Sequence, residues 1–175
     1  MLLGISGKIG SGKDECGQYL EKNHGFKIVK FATLIKEISA TMTGTDYGDQ
    51  VSQAGKEKFL PEWGMTIREF QQKLGPDAVR NGLHQDPWVI SLLSQYNKDT
   101  DRWVVTDVRF NNEADKIKEL KGKVIRVNRD ANPFPHSDHP SETELDDYKF
   151  DHVIENAGSL NYLYGAVEMM LRAIK

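Results

Sequence analysis

The sequence predicts an α/β sandwich built on a mostly parallel five-stranded sheet, and three observations predict it. Short apolar or alternating segments recur along the chain with helical segments between them. A glycine-rich turn joins the first such strand segment to the first helix segment. The third strand segment ends in a carboxylate, Asp107, and parallel sheets hold ligands outside the carboxyl ends of their strands.

Leu2 to Ser6 is short and apolar and reads as the first strand. A helix follows from about Lys13 to Lys22 and is stopped by Asn23-His24-Gly25. Phe26 to Phe31 alternates apolar and polar residues as a second strand does, and Leu34 to Met42 has helical spacing. Thr43 to about Pro61 is polar and glycine-bearing, so an irregular connection or mobile insert is expected there. Thr66 to Leu74 reads as a helix with Thr66 as cap and Glu69 at the capping-box spacing. Gly75-Pro76 is expected to break that helix, and Asp86-Pro87 to open another through about Tyr96. Trp103 to Asp107 and Lys123 to Asn128 read as strands, with a charged helix from Asn112 to Leu120 between them. His152 to Glu155 is a short fifth strand, and Ser159 to Lys175 a terminal helix.

The chain has 175 residues, which suits a single domain over 1–175. It is 38% hydrophobic and 28% charged, enough of both for a core and a solvated surface. A net charge of −3 offers no overall attraction to nucleic acid or anionic lipid, so an anion site must be local. Cys16 stands alone, so no internal disulfide forms, in keeping with a reducing compartment. No apolar run is long enough to span a bilayer, and Met1 to Ile5 is too short for a signal-peptide core. A cytoplasmic protein is expected, with neither nucleic acid nor membrane as partner.

The glycine turn is Gly7-Lys8-Ile9-Gly10-Ser11-Gly12-Lys13-Asp14, between an apolar strand and a helix. Glycines let backbone N–H groups converge on an anion, and the helix beginning near Lys13 adds its positive dipole end. Lys13 supplies a full charge for β- and γ-phosphates. ATP is therefore the expected ligand. The residue after the lysine is ordinarily Ser or Thr, whose hydroxyl ligates Mg²⁺; here it is Asp14. A carboxylate there has three roles open to it. It can hold magnesium directly or through water, cap the helix, or lie close to phosphate with the metal as a screen.

Asp107 is the second candidate to hold Mg²⁺ or orient an acceptor, and Arg109, two residues on, can clamp a phosphate. Arg68 and Gln72 are four apart and share a helix face. The expected break at Gly75-Pro76 leaves Arg80 unplaced. Lys36, Arg68 and Arg80 each read as solvated charge when taken alone; the phosphate loop, which calls for an acceptor site, gives them a function. Phe31 and Trp88 can stack on a base, although aromatic residues more often pack in a core. Arg126 and Arg129 flank the end of the fourth strand segment, and the loop from Arg129 to Glu142 follows. His136 and His139 in that loop lack a zinc-site spacing. A lid over about 129–142 is the better reading, because an arginine delivered over the γ-phosphate stabilises transition-state charge.

The loop Gly10 to Asp14, with Asp in the Ser/Thr place, resembles a branch of P-loop kinases. That branch contains the bacteriophage deoxynucleoside monophosphate kinases and the animal-type phosphomevalonate kinases. Phe31-Ala32 with Lys36 is similar to its acceptor-side segment. Thr66-x-Arg68-x-x-x-Gln72-x-x-Gly75, then Arg80, Asp86-Pro87-Trp88-Val89 and Thr106-Asp107-Val108-Arg109-Phe110-x-Asn112-Glu113, look most like the phage enzymes. His139-Pro140-Ser141-Glu142 and Ile154-Glu155-Asn156-x-Gly158 extend the likeness over nearly the whole chain.

The resemblance implies an adenylate-kinase-like fold with an acceptor-binding insert at about 43–86. It implies transfer of the ATP γ-phosphoryl group to a deoxynucleoside monophosphate, with Mg²⁺. It places Phe31, Lys36, Arg68, Gln72, Arg80, Trp88, Asp107 and Arg109 on the acceptor side, and Asn156 and Gly158 towards the ATP base. Gly7, Lys8, Gly10, Ser11, Gly12, Lys13, Asp14 and Arg126 are then the donor-side residues. Lys13, Asp107, Arg109 and Arg129 carry the transfer. Small nucleotides are the expected partners, and a homodimer is an admissible assembly. Two other readings stand beside this one: a phosphomevalonate or other small-molecule kinase, and an ATP-binding switch that transfers nothing.

Overall fold

The computed structural model describes residues 1–129 and 140–174, and the chain forms two compact units. One unit comprises Met1–Lys30 and Gln95–Lys175; the other is Phe31–Ser94.

The first unit is a five-stranded sheet, ordered β2-β5-β1-β6-β7 and parallel at every pairing. Its strands are β1 (Leu2–Ser6), β2 (Lys27–Val29), β5 (Trp103–Val105), β6 (Lys123–Asn128) and β7 (His152–Glu155). All five residues of β1 are buried, as a central strand covered on both faces must be. Leu3 and Ile5 point to one face. There they pack with Leu20 of helix α1 (Lys13–His24) and with Leu163, Val167 and Met170 of helix α9 (Leu160–Ala173). Gly4 faces the other side, where a Cβ would come within 2.6 Å of Ile117 Cδ1 on helix α7 (Asn111–Glu119). The missing side chain lets that helix lie close against the sheet. Helices on both faces of this parallel sheet make the α/β sandwich that the sequence predicts.

Local signals explain where these helices begin and end. Gly25, at φ 65°, takes the left-handed conformation that closes α1. The Ser159 hydroxyl accepts the Tyr162 N–H at 3.2 Å and caps α9. The Glu113 carboxylate, itself buried, accepts the Phe110 and Arg109 N–H groups at the start of α7. Two strands are shorter than expected. β2 is confined to Lys27–Val29, because Phe31 already has helical angles (φ −60°, ψ −37°). β5 ends at Val105, beyond which the chain steps across the sheet edge. Thr106 N–H donates to Val29 O, and Val108 N–H to Ile5 O, each at 3.3 Å.

The second unit is mostly helical. It holds α2 (Ala32–Thr43), α3 (Tyr47–Val51), α4 (Gln53–Lys56), a hairpin of β3 (Phe59–Leu60) and β4 (Met65–Thr66), α5 (Ile67–Gln72) and α6 (Pro87–Leu93). Two expectations are corrected here. The stretch from Thr43 to Pro61 is not an irregular connection. It forms α3, α4 and β3 around a fully buried Gln50, whose amide donates to Thr45 Oγ1 at 2.6 Å and accepts from Gln71 Nε2 at 2.6 Å. A buried amide supplied with both partners fixes a polar segment as an apolar side chain would elsewhere. Gly75-Pro76 also fails to break the helix. The chain continues from α5 as a π-helix over Lys73–Arg80. The Thr66–Glu69 capping box is present as expected. No helix among the described residues is long and apolar enough to cross a membrane.

Candidate active site

The glycine loop leaves β1 at its carboxyl end and enters α1, which is the geometry an anion site needs. Gly7 and Gly12 have φ of 154° and 106°, where other residues are strained. A Cβ on Gly7 would lie 2.4 Å from Val127 O, and one on Gly12 would lie 2.8 Å from Asn156 Nδ2. Both positions favour glycine by conformation, and at Gly7 the backbone oxygen also leaves no room for a side chain. Ser11 N–H donates to Lys8 O at 3.1 Å and closes the turn.

Lys13 is buried within this loop and donates from Nζ to the carbonyls of Gly7 (2.5 Å) and Lys8 (2.7 Å). Its pKa is lowered to about 8, by burial first and then by the neighbouring Arg109, against opposing pulls from Glu142 and Asp14. Asp14 is exposed on the first turn of α1 and forms an ion pair with Lys30, whose Nζ lies 2.7 Å from Oδ1.

The other residues expected on the donor side gather around the same loop. Asn156 Nδ2 donates to Ser11 O at 2.9 Å, and Gly158 N–H donates to Asn156 Oδ1 at 3.3 Å. Arg129 Nη1 donates to Gly10 O at 3.2 Å. Lys8 pairs with Asp146 at 3.0 Å, and the other oxygen of that carboxylate takes Arg126 Nη2 at 2.8 Å. Arg126 is buried. It also donates to Asn128 Oδ1 and Ser6 Oγ, and its guanidinium lies 5.6 Å from the Phe150 ring centroid. It therefore ties the end of β6 to the loop residue Lys8 through Asp146.

Asp107 lies at the carboxyl edge of the sheet, held between the Thr106–Val29 and Val108–Ile5 hydrogen bonds. Arg109 follows it. Its Nη1 donates to Glu142 Oε1 at 2.7 Å and to Ser141 Oγ at 3.4 Å. Glu142 is in helix α8 (Pro140–Thr143), and its Oε2 accepts the Ile9 N–H at 2.8 Å. Of the lid stretch 129–142, residues 130–139, with His136 and His139, lie outside the described residues.

The remaining residues expected on the acceptor side all belong to the unit Phe31–Ser94. Arg68 Nε pairs with Glu57 Oε1 at 2.8 Å. Gln72 is exposed at the end of α5, and Arg80 ends the π-helix. Lys36 is half-buried on α2. Phe31 and Trp88 are buried at 4% and 6% exposure, the placement of core aromatics.

Sequence reasoning passed over Lys30, Asp146 and the anchoring role of Glu142. Lys30 had a usable signal, since it directly follows β2 at the carboxyl edge where the loop also lies. Asp146 and Glu142 had none, because their partners are distant in sequence.

A strand, a glycine loop and a helix carrying a lysine, with an arginine drawn to the same loop at the carboxyl edge of a parallel sheet, define a P-loop kinase. A dephospho-CoA kinase from Campylobacter jejuni shares the fold, with a TM-score of 0.52 and 16% identity over 99% of this chain and 97% of that one. The family model for deoxynucleotide monophosphate kinases matches residues 49–167. A protein of Acanthamoeba polyphaga mimivirus described as a deoxynucleotide monophosphate kinase is 32% identical over 185 residues. The match covers 95% of this chain and 94% of that protein. The deoxynucleotide monophosphate kinase of Escherichia phage RB69 is 33% identical over 111 residues, covering 61% of this chain and 45% of the phage protein. The chain belongs to the deoxynucleotide monophosphate kinase family.

Proposed function

We propose that this chain transfers the γ-phosphoryl group of ATP to deoxynucleoside 5′-monophosphates, giving the diphosphates. The observation that carries the reading is the convergence of Lys13, Arg109 and the glycine loop at the carboxyl edge of the sheet, in a member of this family.

The chemistry suits these residues. A phosphate monoester has a second pKa of about 6, so at neutral pH the acceptor oxygen is already an anionic nucleophile. Transfer then needs alignment and charge neutralisation more than a strong base. Lys13 leaves its two carbonyl partners for the β- and γ-phosphates, and the loop N–H groups hold their oxygens. Arg109 and Arg129 neutralise charge that spreads over the phosphoryl group in transit. Lys8, Arg126, Asn156 and Gly158 shape the donor side, and Asn156 and Gly158 face the base. Lys36, Arg68, Gln72 and Arg80 hold the acceptor monophosphate.

Magnesium fits the donor set. Among the described residues no group of three or more His, Cys, Asp or Glu gathers to hold a metal. Magnesium at phosphate sites takes one or two carboxylates together with substrate oxygens. Asp14 and Asp107 are the carboxylates that would hold it, and it would offset the charge of the phosphates. We place the enzyme in the cytoplasm, where its lone buried cysteine and nucleotide substrates suit it.

A coupled assay of ADP release over a panel of deoxynucleoside, ribonucleoside and non-nucleotide acceptors tests the reading. Turnover is expected with at least one deoxynucleoside monophosphate. Turnover confined to phosphomevalonate or a hydroxyl acceptor would refute it.

A further inference from the structure

Glu142 poses a problem for a phosphate site. Its side chain is only 12% exposed, and it brings a negative charge to a loop built to hold anions. A charge withdrawn from water is costly unless it is paired and hydrogen-bonded. Here each oxygen has its own partner. Oε2 takes the Ile9 N–H at 2.8 Å, and Oε1 takes Arg109 Nη1 at 2.7 Å. One carboxylate therefore bridges the glycine loop and the arginine that follows Asp107.

Two roles are open to such a bridge: it can fill the phosphate's place, or it can set the position of Arg109. A carboxylate standing in for phosphate would draw the Lys13 ammonium. Lys13 instead donates to the Gly7 and Lys8 carbonyls. The bridge engages the loop at Ile9, short of the start of α1. Arg109 is meanwhile held at its other end, since its backbone N–H donates to Glu113 Oε2 at 2.7 Å. Main chain and guanidinium are thus fixed by two different carboxylates. The charge balance agrees. Arg109 and Lys13 repel, and Glu142 is the largest of the opposing influences on Lys13, so it lets the two cations share one site.

We infer that Glu142 is a positioning residue for phosphoryl transfer, aligning Arg109 with the glycine loop by bridging its guanidinium to the Ile9 N–H. The inference rests on the kinase reading above. It assigns Glu142 no contact with the nucleotide; its effect runs through Arg109.

The test is a double-mutant cycle of Glu142→Gln and Arg109→Ala, with kcat and KM measured for both substrates and ATP affinity measured by calorimetry. Glu142→Gln keeps the shape and removes the charge. It is expected to lower kcat by about tenfold, the scale of one charge-assisted hydrogen bond, with ATP affinity nearly unchanged. In the Arg109→Ala background the same change should have almost no further effect, because the residue it acts through is gone. Glu142→Asp, which keeps the charge, should recover part of the loss and stands in for the glutamine variant if that one does not fold. Three results would overturn the inference: unchanged kcat in Glu142→Gln, multiplicative losses in the double mutant, or tighter ATP binding with kcat intact. The last is the mark of a carboxylate that blocks the phosphate site. Failure of the parent chain to phosphorylate any deoxynucleoside monophosphate removes the kinase reading and this inference with it. An active parent with an indifferent Glu142 removes the inference alone.

Discussion

Lys30 Nζ lies 2.7 Å from Asp14 Oδ1, so the residue that replaces the usual Ser or Thr of the glycine loop carries its own counter-charge. Lys30 is 37% exposed and Asp14 68% exposed, which makes the pair worth little to stability. Its consequence is for binding. Unpaired, the Asp14 carboxylate would repel an incoming triphosphate. Lys30→Gln should weaken metal-free ATP binding by roughly threefold to tenfold at low salt and leave the melting temperature nearly unchanged. With Asp14→Ser also in place, the Lys30 change should lose most of its effect. Calorimetry in the presence of a chelator measures both, and equal Lys30 effects in the two backgrounds would show that the pair is incidental.

Lys13 makes two hydrogen bonds to loop carbonyls and sits at the head of α1. Removing its charge leaves the phosphates with N–H donors alone. Lys13→Ala should lower kcat by about three orders of magnitude, in the range known for lost transition-state cations. Circular dichroism should show the fold retained, and near-normal turnover would refute its role.

Arg68 pairs with Glu57 through Nε, on the helix face it shares with Gln72. As the acceptor-side cation proposed above, it should act on acceptor binding. Arg68→Ala is expected to raise the acceptor KM by about tenfold with the ATP KM little changed. An effect confined to ATP would move it to the donor side.

Glu69 closes the capping box of α5, accepting the Thr66 N–H at 2.7 Å. That backbone hydrogen bond, with one from the Thr66 hydroxyl, holds its carboxyl below the usual glutamate range. A carboxylate with a depressed folded pKa contributes stability above its unfolded pKa and loses it as pH falls through the folded value. Glu69→Ala should therefore lower the melting temperature at neutral pH, and the difference should shrink as the medium is acidified below the ordinary carboxylate range. A difference independent of pH would show that helix propensity, not the charged cap, is at work.

Features written in short-range pattern were legible before any coordinates. The run Leu2 to Ser6, the glycine loop, the Thr66–Glu69 box and the stop at Gly25 depend on sterics and hydrogen bonds spanning a few residues, and each is where the pattern puts it. The polar stretch after Thr43 was misread because its order comes from Gln50, buried and bonded to Gln71 twenty-one residues on. Composition alone makes such a segment look like a loop. Gly75-Pro76 reads locally as a break, but the chain there continues as a π-helix, which is rare and has no short-range signature in the sequence.

Residue order and spacing were enough to establish a phosphate loop on a parallel α/β scaffold, because strand, loop and helix there are contiguous. The strand order β2-β5-β1-β6-β7 and the partners of each charge were decided only when the chain closed on itself. Lys30 meets Asp14 across 16 residues, Arg109 meets Glu142 across 33, and Glu142 meets Ile9 across 133. The parallel crossovers that bury β1 bring these segments to one sheet edge. A charge can select its partner only after that edge exists, and for this reason Asp14 showed its atypical place in the sequence but its counter-ion only in the fold.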